Sequence, residues 1–327
     1  FDATDGFITF TGDGNLALSS TVTTLGTLSS DNGTVTYDGT DQTLRSDTYY
    51  NLVIGGPSGT KTLQANISTN GNFTVNSGIT TSVHAAFLIV TDSTDINGTI
   101  TVTTGKIDAN GAFDATGGEI TFLDDSDGDL QLALDVTSLG ALTSDKGTVT
   151  YDGGDQDIIS GTYHNLVGGS SGQKTLSGEI ISTGNITIDS GVVLSVSADN
   201  HNITVGGDWS NNGSFSSNSG TIIFNGTANQ VLTPGSSSFY NLTLNNTGTD
   251  NNLTIAAAID INNALALTAG TLDLDASDPD ISIGGDLTIA SGAVWSKGSG
   301  TVTFDGAAQS LSDLNTTPNN IGIIIVD

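Results

Sequence analysis

The chain reads as all-β, folded as a parallel β-helix (a β-solenoid), and three observations lead there. A short strand-and-turn motif recurs: residues 33–39 and 147–153 both read GTVTYDG, 220–226 read GTIIFNG and 300–306 read GTVTFDG. The spacing between copies varies while the order of the surrounding elements is kept. Helical periodicity is missing throughout; the nearest candidate, the Ala-rich stretch 255–267, is flanked by strand-like sequence.

Each motif alternates small polar and apolar residues, adds an aromatic, and closes on Asp-Gly or Asn-Gly. This is a short strand whose every second residue points inward, followed by a turn that glycine enters freely. The aromatic before the turn reads as a packing residue at the coil edge. Asp38, Asp152 and Asp305 belong to the repeated turns and read as scaffold, because an active site need occur only once.

A longer repeat lies behind the motif. Residues 1–10, FDATDGFITF, return at 113–122 as FDATGGEITF. Leu16 then matches Leu130, Leu25 matches Leu139, Gln42 matches Gln156, Tyr49 matches Tyr163 and Asn51 matches Asn165. After a one-residue deletion Lys61 meets Lys174. This gives a long repeat over about 1–112 and 113–225, with shorter variants over 226–327, inside one continuous solenoid spanning 1–327.

The motif begins at 33, 147, 220 and 300, so the interval contracts from 114 to 73 and 80 residues. Tandem β-sandwich domains, the alternative fold, should repeat at one domain length with linkers between copies. A solenoid tolerates whole coils being added or removed, because each contacts only its neighbours. Strands of 4–6 residues between Gly, Asn and Asp turns suit coils of roughly 20 to 25 residues, hence about 13 to 16 coils in a single elongated rod. Val, Ile, Leu and Ala fill the narrow core, and Thr decorates the outside as a soluble β-former.

The succession GTVTYDG, YNLxL/V, KTL, GNxTV, then GGDW or GGDL followed by NNGSF and GTIIF, resembles the β-strand-repeat regions of large bacterial surface proteins. These are the adhesin-like and filamentous-haemagglutinin-like passenger regions. The resemblance implies a right-handed parallel β-solenoid, secreted or surface-attached, serving as an adhesin, stalk or matrix component. The sequence departs from the pattern at the acidic insertion 124–129, at 255–267 and at 315–327.

Six basic against 35 acidic residues set a formal charge of −29. Such a chain cannot neutralise phosphates, which argues against nucleic acid and against an anionic membrane surface. No apolar run is long enough to span a membrane as a helix, so no membrane insertion is expected. Cys is absent, which removes disulfides and thiolate metal sites. Met is absent too, and a chain starting at Phe1 is expected to be a processed piece of something longer.

Asp125, Asp127 and Asp129 alternate around Gly128 and could offer carboxylate oxygens to Ca²⁺, the one cofactor suggested. The competing reading is a solvated acidic turn; the first copy keeps only Asp13 and Asn15 there. His84, His164 and His201 lie far apart in unlike settings. Nucleophile elbows, Walker loops and dinucleotide fingerprints are missing. Trp209 and Trp295 are the aromatics to consider for carbohydrate contact. Twelve Asn-x-Ser/Thr sequons, Asn66, Asn72 and Asn185 among them, matter only where glycosylation machinery exists.

The expected function is a non-catalytic structural or adhesive extracellular module, an acidic spacer or assembly unit at the cell surface. Its expected partners are further copies, end to end or laterally, and surface glycans. The alternative is a carbohydrate-binding or polysaccharide-degrading β-helix protein using Asp carboxylates.

Overall fold

The computed structural model describes residues 1–29, 31–123, 127–144, 146–249 and 251–327, with the side chain of Ser144 set aside. Among the described residues there is no helix, and the strands pair in parallel throughout. The fold is therefore a parallel β-solenoid. Tandem sandwiches would require antiparallel hairpins and Greek keys.

The chain falls into two compact units, Phe1–Gly154 and Asp155–Asp327. In the first, Phe7–Thr9 and Thr27–Ser29 pair as a two-stranded sheet of their own, and from Thr34 onward each coil contributes one strand to each of three sheets. One sheet carries Asn15–Leu18, Thr34–Tyr37, Asn51–Ile54, Phe73–Val75, Thr94–Ile96, Phe113–Asp114 and Val136–Ser138. The next carries Gln42–Leu44, Thr60–Leu63, Thr80–Val83, Thr99–Val102, Glu119–Phe122 and Ala141–Ser144. The third runs from Thr48–Tyr49 to Thr148–Tyr151.

The second unit repeats this plan, with one sheet from Asn165–Gly168 to Val294–Ser296 and another from Gly161–Tyr163 to Leu311–Asp313. Its third side is divided between two four-stranded sheets, Gln156–Ile158 to Ser214–Ser216 and Ile259–Ile261 to Ile323–Val326. The Ala-rich stretch forms strands, Ile259–Ile261 and Leu265–Ala269, because its Ile and Leu alternate inward within a neighbouring register.

Alternation decides the core. Thr34–Tyr37 buries Val35 and Tyr37, and Thr148–Tyr151 buries Val149 and Tyr151. The motif aromatic thus lies inside the coil. The Tyr37 and Tyr49 hydroxyls meet at 3.0 Å, and both bond the backbone of Arg45 at the corner. The long repeat is also visible in contacts: a Cβ on Gly33 would strike the Phe10 ring at 2.1 Å, and one on Gly147 would strike the Phe122 ring at 2.1 Å. Yet the two GTVTYDG strands lie on different sheets of the first unit. The sequence repeat is not a whole number of coils, so it marks no single face.

Polar side chains tie coil to coil. Asn66, Asn72, Asn185 and Asp286 each accept, through Oδ1, a backbone N–H 21 to 24 residues later. The amides of Gln42 and Gln230 are buried and span two coils. Gln42 donates to Leu18 O (2.7 Å) and Ser20 O (2.9 Å) while accepting from Gly39 N (2.8 Å). Lys61 and Lys174 are 0% exposed. Lys61 Nζ donates to Gly39 O at 2.9 Å and Lys174 Nζ to Ser171 O at 2.8 Å, so each ammonium is set among carbonyl oxygens.

Candidate functional site

The most regular outward surface is the middle sheet of the first unit. Register alone aligns its side chains: Thr43, Thr62, Ser82, Thr101, Thr121 and Thr143 form one column across six strands. Thr60, Thr80, Thr99, Glu119 and Ala141 form the adjacent column. No bulge interrupts these pairings, whereas the neighbouring sheet shifts register between Phe113 and Asp114. On the inner side Leu63, Val83, Ile100, Val102, Ile120 and Phe122 pack the sheet in place, beside the buried polar residues Gln42, Lys61 and Thr81.

Among the described residues the hydroxyls of Thr43, Thr60, Thr62, Thr80 and Thr101 have no hydrogen-bond partner; Thr43 and Thr60 are exposed and the other three half-buried on the outer side of the sheet. Ser82 Oγ lies 3.5 Å from His84 Nε2 at the rim. Glu119 is the one charged group in the two columns; it accepts from Thr121 Oγ1 at 3.2 Å and Thr99 Oγ1 at 3.5 Å. A cleft of about 390 Å³ opens at the other end, lined by Thr21, Val22, Asp41, Gln42, Thr43, Thr60 and Thr62. Sequence reasoning read these threonines only as soluble β-formers. Their signal was a Thr-x-Thr or Thr-x-Ser pattern recurring at 60, 80 and 99, and only the register turns it into a surface.

The acidic turn gives a different picture. Asp125 lies outside the described residues, Asp127 is exposed, and Asp129 is half-buried in a strand. Asp129 accepts from Gln131 Nε2 (3.0 Å) and Thr150 Oγ1 (3.4 Å). Burial raises its carboxyl above the usual carboxylate range, and the charge of Lys106 opposes the rise. Of the three carboxylates expected to serve calcium, Asp129 is thus engaged by protein donors and Asp127 is open to solvent. Among the described residues no three His, Asp or Glu side chains converge as metal ligands.

Trp209 and Trp295 are 1% and 3% exposed. Trp209 packs edge-on against Phe215 and Phe239, with ring centroids 5.0 and 5.9 Å away. Both indole rings lie inside the coils, with Nε1 buried and unbonded. They are core, placed there by the same alternation that buries Ile186 and Leu232 beside Trp209.

In the second unit a cleft of about 360 Å³ is lined by Ser236, Ser237, Ser238, Asp260, Asp280 and Ser282, among others. Burial, then the charge of Asp305, raises the Asp260 carboxyl. Hydrogen bonds from the Thr301 N–H (2.8 Å) and Oγ1 (2.7 Å) lower that of Asp280. The two carboxyls are thus pushed in opposite directions.

No family model matches the chain, and comparison with curated proteins and with solved structures gave no significant match. The class of protein is set by the fold alone: a parallel β-solenoid, and among the described residues no helix is long and apolar enough to cross a membrane.

Proposed function

We propose that this chain is a non-catalytic structural and adhesive module outside the cell, an acidic spacer or assembly unit of a surface protein or filament. One observation carries the reading: polar side chains along both units are engaged in coil-to-coil bonds. Asn72 accepts from Ser93 N, Asn165 from Asn185 N and Asp208 from Val231 N. Such bonds tie each coil to the next. The charge of −29 favours solubility outside crowded anionic surfaces. The likeness to adhesin-like repeats points the same way. The parallel solenoid shape is compatible with self-association.

Small-angle scattering and electron microscopy of the purified chain test this. An extended particle, single or in fibres, is expected; a compact globule would refute the spacer role. The second reading, a carbohydrate-acting protein, draws on the Asp260 and Asp280 cleft. Release of reducing ends from acidic or neutral polysaccharides, lost in Asp260→Asn, would favour it over the structural one.

A further inference from the structure

We propose that the hydroxyl-lined face of the first unit binds the surface of crystalline ice. The face is a two-dimensional lattice. Coils stack about 4.8 Å apart, and alternate residues along a strand lie about 6.6 Å apart. Thr60 and Thr62, Thr80 and Ser82, and Thr99 and Thr101 therefore repeat on a nearly rectangular net over three consecutive coils, with Thr43 beginning it and Thr121 extending it. Hexagonal ice presents oxygens on its prism faces in a net of closely similar spacings. A threonine offers such a face both halves of what it needs: a methyl group that orders adjacent water, and a hydroxyl that joins the hydrogen-bonded layer.

Three features single out this partner. Among the described residues the hydroxyls of Thr43, Thr62, Thr80 and Thr101 have no partner, which leaves them to bond an ordered water layer. The two columns hold one charge, at Glu119, and Asp41 borders them beside Thr60, in a chain with 35 acidic residues. An ionic mineral would call for carboxylates here, and a nearly neutral lattice suits a neutral crystal. No aromatic residue stands in either column, which removes the stacking platform on which sugar rings dock. The buried packing of Leu63, Val83, Ile100 and Val102 beneath keeps the net rigid, so little ordering entropy is lost on contact.

The test is ice partition of the full chain: a slowly grown ice hemisphere is melted and its protein content compared with the surrounding liquid, alongside ice-recrystallisation assays. The wild-type chain should concentrate in the ice and hold grain size down. Thr62→Tyr with Thr101→Tyr places two rings in the middle of the net and should abolish both effects. Thr36→Tyr with Thr74→Tyr, aligned on the neighbouring sheet, should leave both intact. Tyrosine keeps strand propensity, and circular dichroism verifies the fold; if the first pair fails to fold, Thr62→Lys with Thr101→Lys makes the same comparison. Exclusion of the wild-type chain from ice overturns the proposal. So does equal loss in both double variants, pelleting with crystalline cellulose or chitin in place of ice, or a dimer broken only by the Thr62 and Thr101 changes, since a second copy would then cover the face.

Discussion

Replacing Gln230 by alanine removes one amide that joins three backbone groups on two coils. The side chain is 1% exposed; Nε2 donates to Val205 O at 3.0 Å and to Gly207 O, and Oε1 accepts from Gly226 N at 3.3 Å. After the change Val205 O keeps its bond from Asn225 N, but the buried Gly226 N–H is left without a partner. Three neutral bonds at roughly 0.5–1.5 kcal/mol each, one of them leaving an orphaned donor, give an expected loss of about 2–4 kcal/mol. Coils of a solenoid can unfold in part, so the reporter must be local. Trp209 serves, because Trp209–Asn211 pairs with Gln230–Thr233, and Trp295→Phe makes its fluorescence the only tryptophan signal. Urea unfolding of this background with and without Gln230→Ala gives the difference. Gln230→Glu sharpens it: at neutral pH a carboxylate would face two carbonyl oxygens and cost more than alanine, and protonation in acid would restore a donor. A loss below about 1 kcal/mol, or a glutamate variant no worse than alanine at neutral pH, would refute the reasoning.

Gly147→Ala should cost about 1–3 kcal/mol by overpacking, since its Cβ would stand 2.1 Å from Phe122 Cγ. Phe122→Leu in the same chain should recover part of that in thermal melts. Burial lowers the Lys61 pKa, against the charges of Asp41 and Asp38. The unfolded chain then holds the proton longer, so stability should rise with pH from the lowered folded value up to about 10.4, the ordinary lysine value. Lys61→Met should flatten that rise in urea midpoints taken across this range. Backbone N–H groups of Asn319 and Asn315, and then their side-chain amides, hold the Asp313 carboxyl down at about 2. Its stabilising effect is full above the ordinary aspartate range and should disappear as pH falls through about 2. Asp313→Asn should speed amide exchange at Gly292 and Trp295, whose N–H groups bond Asn315 and Asn319.

Much of the coil was legible in the chain because a strand needs only alternation and a turn needs only a residue that tolerates it. Residues 33–39 announce both, and Val35 and Tyr37 are buried as the pattern requires. The same pattern cannot say which outward residues become neighbours. That depends on how many residues each corner takes up, and the corners vary. Asn66, Asn72 and Asn185 read as sequons, and only the stacked coils show their Oδ1 atoms holding the next coil. Lys61 and Gln42 carry polar ends on strands with inward positions, so their burial follows from carbonyls supplied by another coil.

By itself the sequence determined the fold class: inward alternation, glycine turns and an elastic repeat leave a parallel solenoid as the consistent answer. The tertiary structure alone decided which surface is ordered. A repeat of about 113 residues does not close on whole coils, so GTVTYDG falls on different sheets of the first unit. Thr60, Thr80 and Thr99 fall on one because hydrogen-bonded register, a property of paired backbones, brings them into line.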